Sequence, residues 1–276
     1  MSSVRSSEQV GSIESYAVKV YCELLGLDRM PYPFMGTPTS RIPDEVDRER
    51  QSVLDRIENN PPDNLIPWIR ASMRPDLSMQ LFGVYPEDGF DAQVDRTVRI
   101  NAVRQGEVGF VAVQKPSEPQ GRSGDITILR TDATRLADVV LALAPKQPAG
   151  RLGDVMVKAP QSTELQRGSS LLERNADDAS MAAQKFESAT TTFSAFVQVN
   201  PFRLSDWGYS ERAGHVHWSH KEDDGQYLVD RSDGGYVARA IDQASLVREI
   251  NREVARMLRI VREKRAGVTA DTYAGD

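Results

Sequence analysis

The chain says one thing twice. From Leu77, strand-like segments at Leu77–Val84, Thr97–Arg104, Val108–Gln114 and Ile126–Arg130 run into a helical segment at Asp132–Leu143. From Phe193 the same order returns, with strands at Phe193–Val199, His215–Ser219, Tyr227–Asp230 and Tyr236–Ala240, then a helix from Asp242 to about Lys264. The starts pair at similar offsets: 116 for Leu77 to Phe193, 118 for Thr97 to His215 and 110 for Ile126 to Tyr236. The junctions DITILRTDATRLADVV and GGYVARAIDQASLVREI share alternating apolar residues, an Asp able to cap a helix, and then helical periodicity. A long repeat constrains the fold more than any local propensity does. Two copies are too few for a solenoid, and each offers one half-buried sheet. The expectation is one pseudo-twofold symmetric body with a shared core.

The segments upstream of each meander fit that reading. Residues 1–12 are polar and expected to fray, and Ile13–Leu27 reads as a strand passing into a short helix. PYPFMGTPTSRIP places four prolines across residues 31–43, which makes an extended connector, since proline neither continues a helix nor donates to a ladder. Asp44–Glu58 reads as a helix with Val46, Val53, Leu54 and Ile57 on one face and Arg48, Glu49, Asp55 and Arg56 on the other. A second helix around Asn64–Met73 offers Leu65, Trp68, Ile69 and Met73 to the core. The second half opens with a short strand near Val155–Lys158 and helical stretches around Thr163–Arg174 and Asp178–Ser188. Strands in runs joined by turns, rather than alternating with helices, imply an α+β fold with a central antiparallel sheet. We expect a single domain, with an N-terminal half at about 13–145 and a C-terminal half at about 151–265.

The last helix carries the clearest local signal. Val247, Ile250, Val254, Met257 and Val261 make one apolar stripe. Arg248, Arg252, Arg256 and Arg259 line a neighbouring face, but Glu249, Glu253 and Glu263 interleave them, as on a solvated face rather than a phosphate-binding one. Residues Ala266–Asp276 read as a loose tail.

Composition removes several classes of function. With 39% hydrophobic and 27% charged residues the chain can bury a sizeable core, and a net charge of −6 argues against a general nucleic-acid or anionic-membrane binder. No apolar run approaches the roughly 20 residues that span a bilayer. MSSVRSSEQVGS lacks the apolar segment of a signal peptide, and the one cysteine, Cys22, excludes an internal disulfide framework. The expected location is cytoplasmic.

Catalytic chemistry finds little support. The three histidines stand together in His215-Val216-His217-Trp218-Ser219-His220, a likeness to the HxHxDH signature of metal-dependent hydrolases. That signature needs an Asp where Ser219 stands, and later histidines that do not follow. On a strand, His215 and His217 share one face while Val216 and Trp218 take the other. Cys22, among Val20, Tyr21, Leu24 and Leu25, reads as a small buried hydrophobe. No nucleophile elbow or phosphate-binding glycine loop is present. We therefore assign no catalytic residue, metal ligand or cofactor; the alternative is a metal-dependent hydrolase built on His215, His217 and His220. What stands out instead is loop length. The connections Tyr85–Arg96, acidic with Phe90 at its centre, and Asn200–Gly214, carrying Phe202, Trp207 and Tyr209, far exceed a hairpin's usual 2–5 or so residues. Such loops commonly bind partners.

Five stretches, taken in order, resemble the EspG family of cytosolic chaperones of type VII (ESX) secretion systems. They are ELLGLDRMPYPF (Glu23–Phe34), RPDLSMQLFGV (Arg74–Val84), RINAVRQGEVGFVAVQ (Arg99–Gln114), GDITILRTDATRLADVVLALAP (Gly124–Pro145) and GHVHWSHKEDDGQYLVDRSDGGYVARAIDQASLV (Gly214–Val247). The resemblance implies a pseudo-symmetric body whose central sheet is flanked by two helical bundles. It also implies binding to a PE–PPE heterodimer, shielding of an apolar tip of that client, and specificity for one secretion system, with no nucleic acid and no membrane insertion. Carried onto this chain, the client-binding elements are the loop Pro86–Asp95, with Glu87, Asp88, Phe90, Asp91 and Asp95, and the helices within Thr163–Ser188, with Leu171, Leu172 and Met181.

Overall fold

Apolar residues at every second position along the central strands sort side chains onto the two faces of one ten-stranded antiparallel sheet. A computed structural model describes residues 7–63, 65–86, 96–117, 123–158, 173–202, 208–232 and 235–266. In chain order the strands are β1 (Glu8–Ile13), β2 (Leu77–Val84), β3 (Val98–Gln105), β4 (Val108–Gln114), β5 (Ile126–Asp132), β6 (Val155–Lys158), β7 (Thr191–Pro201), β8 (Gly214–Lys221), β9 (Gly225–Ser232) and β10 (Gly235–Ala240). The helices are α1 (Ser15–Leu24), α2 (Pro43–Asn59), α3 (Ile66–Met73), α4 (Leu136–Ala142), α5 (Glu173–Ser188) and α6 (Gln243–Arg265). Across the sheet the order is β1-β5-β4-β3-β2-β7-β8-β9-β10-β6. From centre to edge, the second half repeats the strand order of the first. The halves meet where β2 pairs with β7, from Leu77 opposite Pro201 to Val84 opposite Ser194.

One face is buried beneath α4 and α6. Leu77, Met79 and Leu81 of β2, Val197 and Val199 of β7, and Val216 and Trp218 of β8 form a single cluster there with Leu136, Val140, Leu246, Ile250 and Met257. On the opposite face α1 and α3 cover the N-terminal half, where Val18, Trp68 and Ile69 meet Val103, Phe110, Ile126 and Ile128. Helix α2 adds Val53 against Tyr16, Ala17 and Val20 of α1. The same face of the C-terminal half carries α5, whose Phe186 packs on Val155, Val157, Tyr227 and Ala238.

The structure departs from the sequence expectations at four places. Residues expected to fray form β1, an edge strand held by the ladder to β5, with Ser12 opposite Thr127 and Ile13 opposite Ile126. Its exposed polar pattern is what an edge strand needs. Helix α5 begins at Glu173, earlier than Asp178, while most of the expected stretch Thr163–Arg174 lies outside the described residues. The stripe of α6 buries Leu246, Ile250, Met257 and Val261, with Val247 and Val254 only partly covered. Finally, the two strand–helix junctions are not alike. Asp242 caps α6, accepting from the Ser245 amide at 2.6 Å, whereas Asp132 ends β5 and caps nothing, a short 3-10 turn at Ala133–Arg135 preceding α4.

Candidate partner-binding face

Between the part covered by α1 and α3 and the part covered by α5, the central strands carry a row of rings and one guanidinium. Arg99 of β3, Phe82 of β2, Phe196 of β7 and His217 of β8 are direct cross-strand partners, so four strands place them at one level. The Arg99 guanidinium lies 5.3 Å from the Phe82 ring centre, Phe82 lies 6.1 Å from Phe196, and Phe196 stacks on His217 at 5.7 Å. His215 continues the row 6.0 Å from His217 and stacks on Tyr209 at 4.4 Å. Phe82, Arg99 and Phe196 are half-buried, and His217 and Tyr209 are exposed. These side chains point outward because Met79, Leu81, Ala195, Val197 and Trp218, their neighbours along the strands, take the buried face.

Beside this row the sheet is polar, and several of its side chains bond one another or the second long connection. Asn200 Nδ2 donates to Gln80 Oε1 at 2.8 Å, and Gln198 uses both ends of its amide on the second long connection. Its Nε2 donates to the Gly208 carbonyl at 2.7 Å and its Oε1 accepts from the Ser210 amide at 3.1 Å. His215 Nε2 meets the Ser210 carbonyl at 2.6 Å, so residues 208–210 fold back over the sheet. Phe202, half-buried, has the Lys264 ammonium 5.0 Å from its ring, and Trp207 lies outside the described residues.

The histidines do not converge. His220 is buried on the other face of β8, where its ring lies tilted 5.1 Å from that of Phe193 and bonds Gln226 Oε1 at 3.0 Å. Burial holds its imidazole below the ordinary histidine value, offset only in part by Gln226. Among the described residues no group of three His, Cys, Asp or Glu is gathered to hold a metal.

Of the residues expected to meet a partner, Glu87, Asp88, Phe90, Asp91, Asp95, Leu171 and Leu172 lie outside the described residues. Met181 is on α5 and 51% exposed, on the helix that leads into β7. The roots of the β2–β3 connection are held: Tyr85 packs on Phe193 at 5.1 Å, and the Arg96 guanidinium lies 5.1 Å from the Tyr85 ring. That connection leaves β2 at Val84, opposite Ser194, near the start of the strand that α5 enters. Sequence reading missed Arg99, Phe82 and Phe196. The one available signal was an aromatic at an outward strand position, twice.

The profile of the EspG family matches residues 16–252. The chain belongs to the EspG family. No curated protein matches it by sequence. Among solved structures, this EspG chain is similar to the type VII secretion system chaperone EspG5 of Mycobacterium tuberculosis, solved in complex with the PE25–PPE41 dimer. The TM-score is 0.51 at 12% identity, covering 88% of this chain and 95% of that one, and at that identity the likeness speaks for the fold. Among the described residues no helix is long and apolar enough to cross a membrane.

Proposed function

We propose that this EspG-family protein is a cytoplasmic chaperone of a type VII secretion system that binds a PE–PPE heterodimer, shields an apolar tip of it and confers specificity for one system. The observation that carries the reading is the row Arg99, Phe82, Phe196 and His217, left accessible at the centre of the sheet. Half-buried aromatics beside a guanidinium are the anchors from which interfaces draw most of their energy. An apolar tip seated there loses the exposed patch that would otherwise drive aggregation. In this reading the loop Pro86–Asp95 closes over the client from one side, with Phe90 as anchor and Glu87, Asp88, Asp91 and Asp95 steering approach. Helix α5, through Met181, and the segment carrying Leu171 and Leu172 close from the other. The protein acts by binding, not catalysis. The two halves are pseudo-twofold copies within one domain, each carrying a helical bundle, and the matching strand orders support that.

Co-expression with a PE–PPE pair encoded beside a type VII system tests this. A ternary complex should co-elute on gel filtration. Phe196→Ala should weaken it by roughly 30-fold or more, the scale of a hot-spot loss, while costing the free protein up to about 2 kcal/mol for its two cross-strand pairs. Failure of the intact protein to co-elute with any such pair would contradict the proposal.

A further inference from the structure

The turn after α1 and the facing sides of α3, β2 and β3 line a partly open cavity of about 90 Å³, apart from the row just described. Val18 and Cys22 of α1, Leu27 and Met30 of the turn, Ile69 of α3 and Val103 of β3 give it apolar walls. Three further lining residues carry buried polar atoms with no hydrogen-bond partner within the protein: Trp68 Nε1, Ser72 Oγ and Asn101 Oδ1. Trp68 and Asn101 are 1% and 3% exposed. The Asn101 amide is oriented by its Nδ2, which donates to the Tyr32 carbonyl at 2.8 Å, so Oδ1 is the end left over. Buried polar groups in folded proteins are nearly always paired, because an unpaired one forfeits its hydration. Three in the lining of one cavity call for an occupant.

The chemistry of that occupant follows from which element offers what. Trp68 and Ser72 are four residues apart on one side of α3; Trp68 presents an N–H that can only donate, and Ser72 a hydroxyl that can donate or accept. Asn101, on β3, presents only an acceptor. The occupant needs an acceptor toward α3, a donor toward β3, and an apolar body for the walls. A carboxamide carries acceptor and donor on separate atoms. A carboxylate would set its charge against Asn101 Oδ1, and the charged residue of the lining, Arg29, is exposed. An ammonium would find no carboxylate in the lining. We propose that this cavity is a binding site for a small neutral primary carboxamide with a compact apolar body. The volume, equal to about three waters at liquid density, suits a body of a few carbons. The proposal does not depend on the client-binding reading.

Isobutyramide is the probe, and the indole N–H signals of the isotope-labelled full chain are the readout. The three tryptophans, Trp68, Trp207 and Trp218, give three such signals, and Trp68→Phe identifies the first. Titration should move the Trp68 signal saturably. Trp218, whose Nε1 is likewise buried and unpartnered but is not in the cavity lining, should stay in place. Isobutyrate should move neither. Asn101→Leu should weaken the response about tenfold, the scale of one lost hydrogen bond; an undisturbed Trp218 signal shows that the variant is folded. Should that variant not fold, Ser72→Ala should weaken it severalfold. A Trp68 signal that does not move, moves without saturating, or moves equally with isobutyrate would overturn the proposal and leave a cavity that holds water only.

Discussion

His217 and His220 stand three residues apart in β8 and serve opposite faces of the sheet, one stacked in the accessible row and one buried against Phe193. The pleat of a single strand thus separates what looks in sequence like a set of ligands. Burial of His220 has a consequence for pH. Its folded value lies below that of the unfolded chain, so above about pH 6.5 the imidazole is neutral in both states and adds no slope. As pH falls below that, the unfolded chain takes up the proton first, and stability declines until the folded value is reached. His220→Gln, which can still pair with Gln226, should flatten the loss of stability between about pH 7 and pH 5, measured by urea unfolding at both. An unchanged slope would mean that other groups carry it. The outward row was the least legible part of the sequence at this scale. Period-two alternation says that Phe82 and Phe196 oppose Leu81 and Val197 across their strands, but hydrophobicity alone pulls an aromatic inward. Only the register, which no single strand encodes, sets Phe82 against both Arg99 and Phe196.

At the scale of elements, helix α6 and the first-half helix α4 show how two similar segments diverge. Asp242 accepts from Ser245, and hydrogen bonds from that residue's hydroxyl and amide hold the carboxyl below its ordinary value. Asp132 has no such partner in its turn. Asp242→Ala should lower Tm by a few degrees while Asp132→Ala leaves it nearly unchanged, as a thermal melt of each variant would show. Because the Asp242 value is depressed, its contribution is present above the ordinary carboxylate range and lost as pH falls through the folded value, so the two variants should converge in acid. Equal effects at neutral pH would contradict the assignment of the cap. The sequence made Asp132 and Asp242 look interchangeable, since both precede a helical pattern; the intervening 3-10 turn is set by packing. Helix α6 itself was legible, because 23 residues of sustained periodicity leave little ambiguity. Strand β1 was not, because an edge strand of polar residues is specified by its partner β5 rather than by its own pattern.

The whole molecule is organised by the β2–β7 seam. Leu77, Met79 and Leu81 on one side of it and Val197 and Val199 on the other share a cluster with α4 and α6, and Gln243 of α6 donates to the Leu141 carbonyl at 3.0 Å. Gln80 and Gln198, which stand directly opposite each other, are related by the offset of 118 that also relates Thr97 to His215. A core shared in this way should unfold in one cooperative transition; two resolved transitions in calorimetry would mean that the halves fold separately. The matching strand order of the two halves was readable because element order survives when side chains drift. That the halves join edge to edge through β2 and β7 was not, since no residue pattern names a strand's neighbour. The proposed function rests on the same architecture, which leaves the middle of one face accessible, with Tyr85 and Arg96 at the roots of the β2–β3 connection. The most direct test replaces Pro86–Asp95 by a two-residue turn. The roots Tyr85 and Arg96 stay packed on Phe193 and on each other, and closure entropy varies slowly with length, so Tm should hold within about 2 °C. Co-purification with the PE–PPE client should be lost, and Phe90→Ala in the full-length loop should weaken it more than neutralising any one of Glu87, Asp88, Asp91 or Asp95. Undiminished client binding by the stably folded, shortened protein would contradict the account.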